Sequence, residues 1–405
     1  MSKQNAAFID HGAIFRLIRD EAGIVRSHVA ARVGISKSTA ERMAQALVDA
    51  GLVIETDGAD SRRGRGGIGL SVRPESPCAV GIDLGASHVD LAAVDMAGGV
   101  THAVRERIDP SMTREALLAV LETASARLLD ALHAEGRRVL GIGFGDPGVL
   151  DLAGGVSLSA TNLPAWRGVP VVAHLRERFG VPVRLEASPR VKCLGEARYG
   201  AARGVTGFLL VDLGMGVGLG MYSRGRLYGG EGGCGGELGH MVVVPDGPIC
   251  ACGGRGCLEA VAGSAALVRD ARAALAGGAP GMLRATPPEA LTARHIIEAA
   301  DSGDRLAQGI VNSAVRTLGI AIGNVCNLLN PRMVVLAGGL SKAGSLMSAL
   351  ETVVRATVLP VIGQALAITS SQVPDTGGVL GAAELILGDF ADAPLSSLAE
   401  SRACS

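Results

Sequence analysis

The first fifty residues alternate apolar and polar positions at the spacing of amphipathic helices. Apolar residues between Ile14 and Ile18 recur every three to four positions and predict a first helix. Ser27 is a candidate N-cap for a second helix, and Ser36, after a glycine turn, is a candidate N-cap for a third helix over 37–50. The pattern therefore predicts three short helices at the start of the chain.

The predicted third helix has one apolar and one polar face. Its stripe of Ala40, Met43 and Leu47 is expected to be buried. Polar residues remain near its exposed amino-terminal end: Lys37, Ser38, Thr39 and Arg42. A helix, a short turn and a second helix with an exposed polar end is the helix-turn-helix arrangement, so we predict that these four residues contact DNA.

Two strand-like segments follow at 52–56 and 68–72, and an arginine-rich segment separates them. Arg62, Arg63 and Arg65 lie there among glycines. A hairpin behind a helix-turn-helix forms a β-wing, whose arginines can follow the phosphate backbone or enter a narrow minor groove. The alternative is an ordinary solvated loop.

Charge supports DNA binding only locally. The 405-residue chain has a net charge of -1, and residues 1–75 carry 11 Lys and Arg against 9 Asp and Glu. So small an excess is weak, and the prediction depends on the clustered arginines. We expect residues 1–75 to form a winged helix-turn-helix DNA-binding domain.

From residue 79 onward the pattern changes to alternating strands and helices, with an internal repeat. Gly81–Gly85 and Val211–Gly214 each end an apolar strand with Asp-x-Gly and turn directly into a second strand, about 130 residues apart. This pattern predicts two similar α/β lobes that face a central cleft. We expect the first lobe over 76–200, the second over 201–390 and a tail over 391–405. A buried helix is expected over 310–329, a strand over 333–336 and a late helix over 378–386.

The densest group of candidate ligands lies between residues 236 and 259. One imidazole and three thiols occur there: His240, Cys250, Cys252 and Cys257. This is a common closed tetrahedral zinc set, and thiolates favour zinc over magnesium or calcium. Because such a set leaves no open position, we predict a structural zinc and a different ligand for Glu237 and Glu259. The alternative is buried cysteines or an opportunistic disulfide.

Composition indicates a cytoplasmic protein without a membrane segment. The chain is 48% hydrophobic, but it begins without an apolar signal core, and no uninterrupted apolar run reaches the roughly 18 residues that a membrane span needs. Eight cysteines in 405 residues do not resemble a secreted disulfide framework.

Taken together, these motifs resemble the ROK family of repressors and sugar kinases over nearly the whole chain. The motifs are Gly81–Gly85, Asp146–Gly148, Asn162–Trp166, Gly236–His240, Cys250–Glu259 and Ala337–Ser341. The resemblance implies the duplicated actin-like, ribonuclease-H-like fold. It also places the chain among the family's regulators, because the kinases usually lack the winged helix.

The resemblance implies the roles of individual residues. Zinc would be bound by His240, Cys250, Cys252 and Cys257, and a sugar would be faced by Asn162, Glu237, His240 and Glu259. Carboxylates, an amide and an imidazole suit the fixed hydroxyl directions of a pyranose. If one ring nitrogen of His240 binds the metal, its other nitrogen can meet the sugar.

One departure from the family pattern concerns catalysis. Ala187 and Ser188 stand where active kinases have Asn-Asp, and that aspartate would be the general base, worth about 10² to 10⁴ in rate. An unassisted serine has too high a pKa to replace it, and Glu186 is two residues away. Ser87–His88 and Met215 also depart from the family's phosphate loops.

We therefore predict a sugar-responsive transcriptional repressor without catalytic residues. It would bind operator DNA as a homodimer or homotetramer and take a sugar or sugar derivative as its ligand. An ATP-dependent sugar kinase with an added DNA-binding domain remains the alternative. A DNA-binding protein whose large domain only dimerises is a third reading, but it leaves Glu237 and Glu259 without a role.

Overall fold

The computed structural model describes residues 11–57, 67–74, 77–373, 376–392 and 394–395. The α-helices are α1 His11–Asp20, α2 Arg26–Val33, α3 Lys37–Asp49, α4 Arg114–Ala134, α5 Val171–Phe179, α6 Ser188–Tyr199, α7 Leu258–Ala262, α8 Ser264–Ala276, α9 Ala293–Asp301, α10 Arg305–Leu329, α11 Gly344–Thr357, α12 Pro360–Ala365 and α13 Gly377–Asp392. The strands are β1 Ile24–Val25, β2 Val53–Asp57, β3 Ile68–Val72, β4 Cys78–Leu84, β5 His88–Asp95, β6 Val100–Arg107, β7 Val139–Asp146, β8 Val149–Asp151, β9 Val156–Ser159, β10 Val183–Ala187, β11 Gly207–Leu213, β12 Val217–Ser223, β13 Arg226–Leu227, β14 Met333–Ala337 and β15 Ala367–Ser370.

The amino-terminal unit consists of α1, α2, α3 and a three-stranded antiparallel sheet in the order β1-β3-β2. Helix α3 begins after Ser36, whose hydroxyl accepts a hydrogen bond from the Thr39 amide at 3.1 Å, as predicted. The predicted cap at Ser27 was wrong. Helix α2 follows Val25 without a side-chain cap, because the pairing of β1 with β3 ends one residue before the helix begins.

The predicted hairpin is present as β2 and β3, which pair from Val53 with Val72 to Asp57 with Ile68. Its predicted arginine contacts, at Arg62, Arg63 and Arg65, lie outside the described residues. Strand β2 follows α3 along the chain and packs against it.

Two five-stranded sheets share one topology. The first has the order β10-β7-β4-β5-β6, and the second has the order β13-β12-β11-β14-β15. In each, the first strand pairs antiparallel with a following hairpin on one side and parallel with a later strand on the other. The repeat predicted from Asp83 and Asp212 is thus a repeat of a whole sheet, and these residues lie near equivalent strand ends.

Helices α6 and α13 pack against each other at the first sheet. Helix α13 contacts β4 and β7, and α6 also contacts β11 and β12 of the second sheet. The close approach requires glycine, since a Cβ added at Gly81 would lie 1.9 Å from the Val379 carbonyl oxygen. Helix α13, expected in the stretch 201–390 of the second lobe, therefore lies against the first lobe; the domain boundaries stay a prediction.

The amino-terminal unit is joined to the first lobe by a continuous core and a buried ion pair. Phe15 of α1 meets Phe390 of α13 edge to face, with ring centroids 6.3 Å apart. The buried Arg19 guanidinium binds both oxygens of Glu384, at 2.9 and 3.2 Å, and the Tyr199 hydroxyl donates to the same carboxylate at 2.7 Å. Helices α1, α6 and α13 therefore meet at one carboxylate.

Helix α10 is long and apolar enough to cross a membrane by length and composition, and it is the one helix of the described residues with that property. More than half of its apolar window is buried inside the protein, at 56%. It packs against α7, α8, α9 and α11, which is the environment of a core helix.

A pair of Gly→Ala substitutions tests the close packing of α13. Gly81→Ala places a methyl group against a backbone carbonyl that cannot rotate away, so we expect a loss of about 1 to 3 kcal/mol or more in the free energy of unfolding. Gly309→Ala lies in an open position on α10, and we expect a gain of up to about 1 kcal/mol. Urea unfolding measures both, and equal stability of the two variants would contradict the packing described.

Candidate functional site

A cleft of about 380 Å³ opens between the two lobes. Its first wall carries Asp83 and Ser188, and its second wall carries Asp212, Glu237 and Glu259. The walls are built from strand ends and the turns that follow them, as expected for a duplicated fold. All four predicted sugar-facing residues line this one cavity: Asn162, Glu237, His240 and Glu259.

Asn162 and Glu259 meet at a glycine of the second lobe. The Glu259 carboxylate accepts a hydrogen bond from the Val217 amide at 2.9 Å. A Cβ added at Gly216 would lie 2.1 Å from Glu259 Oε2 and 3.1 Å from Asn162 Nδ2, so both polar groups lie against this glycine. The hairpin turn after β11 therefore needs glycine to let the amide and the carboxylate approach each other.

Glu237 and His240 form the neighbouring part of the cleft. Glu237 Oε2 lies 3.9 Å from His240 Nε2. Burial raises the pKa of Glu237, the charge of Glu259 adds to this effect, and His240 and Arg190 oppose it. The two carboxylates are therefore near enough to influence each other, as two groups converging on one ligand would be.

Asp146 holds the segment that carries Asn162. Its buried carboxylate accepts hydrogen bonds from the Gly148 amide at 2.8 Å, the Ser157 hydroxyl at 2.9 Å and the Trp166 indole at 2.7 Å. Burial raises the pKa of Asp146 to about 6 although these donors favour its ionised form. Sequence reasoning missed this network; the signal was an Asp-Pro-Gly turn close to the only tryptophan of the chain.

The predicted metal ligands are brought together. His240 Nδ1 lies 3.7 Å from Cys250 Sγ, and Cys252 Sγ lies 3.7 Å from Cys257 Sγ. All four ligand atoms lie within 4.8 Å of one another. His240 thus turns Nδ1 toward the thiols and Nε2 toward Glu237, which is the division of roles that the sequence suggested.

The amino-terminal end of α3 is open to solvent. Lys37, Ser38 and Arg42 are exposed, and Thr39 is half-buried. The Ser36 hydroxyl lies 3.1 Å from that of Ser38 and 2.8 Å from that of Thr39. Neither cation has a carboxylate within ion-pair distance in the part of the chain that is described, so both are available to phosphates.

Ser188 occupies the first position of α6, directly after Ala187 at the end of β10. Its hydroxyl donates to Asp83 Oδ1 at 2.7 Å, a contact that the sequence did not predict. Glu186 is held by Arg190, at 2.6 Å, and by the Ala187 amide, at 2.8 Å. The Glu186 carboxylate is therefore already engaged by two hydrogen-bond donors.

Lys192 lies between the two repeated aspartates. Its ammonium group is 2.7 Å from Asp212 Oδ2 and 3.9 Å from Asp83 Oδ2. The sequence analysis missed Lys192, although its spacing of four residues from Ser188 indicates the same face of a helix. That face of α6 is the one that lines the cleft.

Fold and site together define a two-lobed protein with a polar cleft and an attached amino-terminal unit. The ROK family model matches residues 79–389. The chain belongs to the ROK family, and the resemblance in the sequence is confirmed.

Individual relatives include kinases and regulators. A glucokinase of Thermotoga maritima is 33% identical over 311 residues, which cover 76% of this chain and 96% of the kinase. A putative xylose repressor of a Caldicellulosiruptor species is 28% identical over 379 residues, which cover 93% of this chain and 95% of the repressor. The structure is also similar to the crystal structure of a ROK family transcriptional regulator described as a homolog of the E. coli MLC protein. The two superpose with a TM-score of 0.82 and are 28% identical, and the match covers 96% of this chain and 98% of the regulator.

The kinase and the regulators differ in how much of this chain they match. The family model begins at residue 79, and the glucokinase match leaves about a quarter of this chain unmatched. The matches to the repressor and to the regulator structure cover so much of the chain that they must include most of the amino-terminal unit.

A Trp166→Phe substitution tests the role of Asp146. Because the folded pKa of Asp146 is raised to about 6, its ionisation lowers stability as the pH rises from about 4 to 6. Loss of the indole donor raises that pKa further, so the decline extends to higher pH. We expect a loss of about 1.5 to 3 kcal/mol at pH 8 and a smaller loss at pH 5, measured by urea unfolding.

Phe144→Leu is the matched control, because Phe144 stacks on the Trp166 ring with centroids 6.3 Å apart but has no side-chain hydrogen-bond donor for the carboxylate. Its loss of stability should be the same at both pH values. A pH-independent loss in Trp166→Phe as well would show that packing, and not the hydrogen bond to Asp146, is what the indole contributes.

Proposed function

We propose that this protein is a cytoplasmic, sugar-responsive transcriptional repressor. The observation that carries the proposal is the buried Arg19–Glu384 pair, which joins a helical unit with an exposed cationic end to α13, the helix whose Gly378 lines the polar cleft. The similarity to a putative xylose repressor and to a ROK transcriptional regulator, each over more than nine-tenths of the chain, supports it.

The amino-terminal unit acts as a winged helix-turn-helix over residues 1–75. Helix α3 enters the major groove with Lys37, Ser38, Thr39 and Arg42, and the hairpin of β2 and β3 is the wing. Arg62, Arg63 and Arg65 at its tip contact phosphates or the minor groove. Two such units in a homodimer, or in a homotetramer, would read a palindromic operator.

The cleft binds a sugar or sugar derivative through Asn162, Glu237, His240 and Glu259. Their amide, carboxylate and imidazole groups converge from the two lobes, and directional donors and acceptors of this kind satisfy the hydroxyls of a pyranose. The first lobe spans 76–200 and the second 201–390, with α13 returning to the first.

The protein does not phosphorylate the sugar. A general base must accept a proton, and the Ser188 hydroxyl instead donates a hydrogen bond to the Asp83 carboxylate. The same contact supports the competing function, a sugar kinase in which Asp83 draws a proton through Ser188, and the 33% identity with a glucokinase favours it too. Turnover of a hexose with magnesium and ATP in a coupled assay would establish the kinase.

The His240 and cysteine cluster binds a structural zinc. Bonds of about 2.0 to 2.3 Å in a tetrahedron separate ligand atoms by about 3.5 to 3.8 Å, and the two measured separations of 3.7 Å agree with this geometry. Zinc would fix the ring of His240, so that its Nε2 points toward Glu237 and the sugar.

Metal analysis tests the zinc proposal. We expect one zinc per chain in the wild type, and loss of most of it in Cys257→Ser, because a tetrahedral thiolate site loses one of four ligands. Cys234→Ser is the control, since this exposed cysteine lies outside the cluster and its variant should retain zinc. Zinc content is measured by mass spectrometry after dialysis, and a full zinc complement in Cys257→Ser would refute the assignment.

Helix α6 connects the sugar to the DNA-binding unit. It begins in the cleft at Ser188 and ends at Tyr199, whose hydroxyl binds the Glu384 carboxylate that pairs with Arg19 of α1. A ligand that closes the lobes would shift α6 and, through it, α1. The change in spacing between two winged helices would then alter operator affinity.

Two variants separate sugar binding from DNA binding. A sugar found by thermal-shift screening should change the affinity for a selected operator duplex by about 5- to 150-fold in the wild type. Glu259→Gln should bind the operator but lose the response, and Arg42→Ala should bind the sugar but lose operator affinity. Fluorescence anisotropy measures the operator affinity of each protein, and thermal shift measures its sugar binding. Equal operator affinity with and without a bound sugar would contradict the proposed regulation.

A further inference from the structure

Two carboxylates from opposite lobes meet at one ammonium group in the floor of the cleft. Asp83 lies near the end of β4 in the first sheet, and Asp212 occupies the equivalent place in β11 of the second. The Lys192 ammonium lies 2.7 Å from Asp212 Oδ2 and 3.9 Å from Asp83 Oδ2. Side-chain exposures of 12% and 13% for the aspartates show that the pair is largely shielded from water.

Paired carboxylates supply the oxygen ligands that a divalent cation such as magnesium takes. Magnesium takes carboxylate oxygens at about 2.0 to 2.1 Å and completes an octahedron with water and phosphate oxygens. Here the ammonium group faces the Oδ2 atoms of both aspartates. A second cation at that point would meet its charge at close range in a poorly solvated space, where repulsion is strong.

Contacts restrict both oxygens of Asp83, whereas Asp212 Oδ1 is buried without a hydrogen-bond partner and lies against Gly338, where an added Cβ would be 2.6 Å away. Asp83 Oδ1 accepts the Ser188 hydroxyl at 2.7 Å, and on the Oδ2 side a Cβ at Gly378 would lie only 1.9 Å away, so the backbone of α13 closes that side. Nearby Asp90 is taken by Arg105, at 2.5 and 2.7 Å. Lys192 is therefore the cation that balances these two aspartates.

We propose that Lys192 is an internal cation that occupies the place between Asp83 and Asp212 where a divalent cation would bind. It thereby prevents the cleft from binding magnesium and magnesium-bound nucleoside triphosphates. The inference rests on the proposed function, since it explains how the cleft binds a sugar without ATP. Lys192 is thus a specificity-determining residue. Ser188 and Lys192, on one face of α6, both act on Asp83, one by a hydrogen bond and the other by charge.

The test is manganese binding by electron paramagnetic resonance on the full-length, zinc-loaded protein, in buffers without chelator. Wild type should bind no manganese in the cleft. Lys192→Met leaves both carboxylates without their cation, and we expect it to bind one manganese per chain at least about tenfold more tightly than wild type. Lys192→Arg, which retains a cation, should behave as wild type does.

The double variant Lys192→Met with Asp212→Asn locates the new site, because it should lose the gained manganese. If Lys192→Met does not fold, Lys192→Gln retains a polar side chain without charge and takes its place. The proposal is overturned if wild type binds one manganese that Asp212→Asn removes, or if the folded neutral variant binds no more than wild type. Neither sugar nor DNA is present, so this result is independent of the operator experiment.

Discussion

The contact of α13 with the first sheet, at backbone distance, is the constraint on which the rest of the structure depends. A Cβ at Gly143 would lie 1.7 Å from the Ala382 carbonyl oxygen, and one at Gly381 would lie 1.6 Å from that of Val191. Helix α13 is thereby locked to β7 on one side and to α6 on the other. Because packed interiors deform little, a displacement of one of these elements must be shared by the others.

That constraint gives α6 its two roles. Its twelve residues span about 18 Å at the usual helical rise, from Ser188 in the cleft to Tyr199 beside α1. In its last turn, the buried Glu196 carboxylate accepts hydrogen bonds from the Ser371 hydroxyl and from the Val373 amide, which follow β15 of the second lobe. Helix α6 is thus bonded to both lobes and to the amino-terminal unit. The buried Arg19–Glu384 pair there fixes geometry more than it adds net stability, since desolvation offsets much of its attraction.

Sequence was informative where the relevant residues are close along the chain or repeat at a fixed spacing. His240 and the three cysteines fall within residues 240–257, so the sequence alone indicated a set of metal ligands. The paired Asp-x-Gly turns predicted the duplication of the sheet. The Asp83–Lys192–Asp212 contact could not be predicted in this way, because its members are separated by long stretches of chain and a lone lysine on a helix usually faces solvent. The position of α13 was missed for the same reason, since its contacts lie with strands near the other end of the chain.

A cleft that only binds a ligand and signals its presence needs different contacts with that ligand from a cleft that catalyses a reaction of it. Ligand can shift a conformational equilibrium only by its differential affinity for the two states. Asn162 belongs to the first lobe and Glu259 to the second, yet both lie against Gly216, so a sugar between them is fully hydrogen-bonded only when the lobes are together. With Asp83 bound to Ser188 and faced by Lys192, the cleft that we propose binds a sugar without reacting with it, so the binding energy would remain available to hold the lobes closed. In the regulation that we propose, closure would act on α6 and, through Tyr199 and Glu384, on α1.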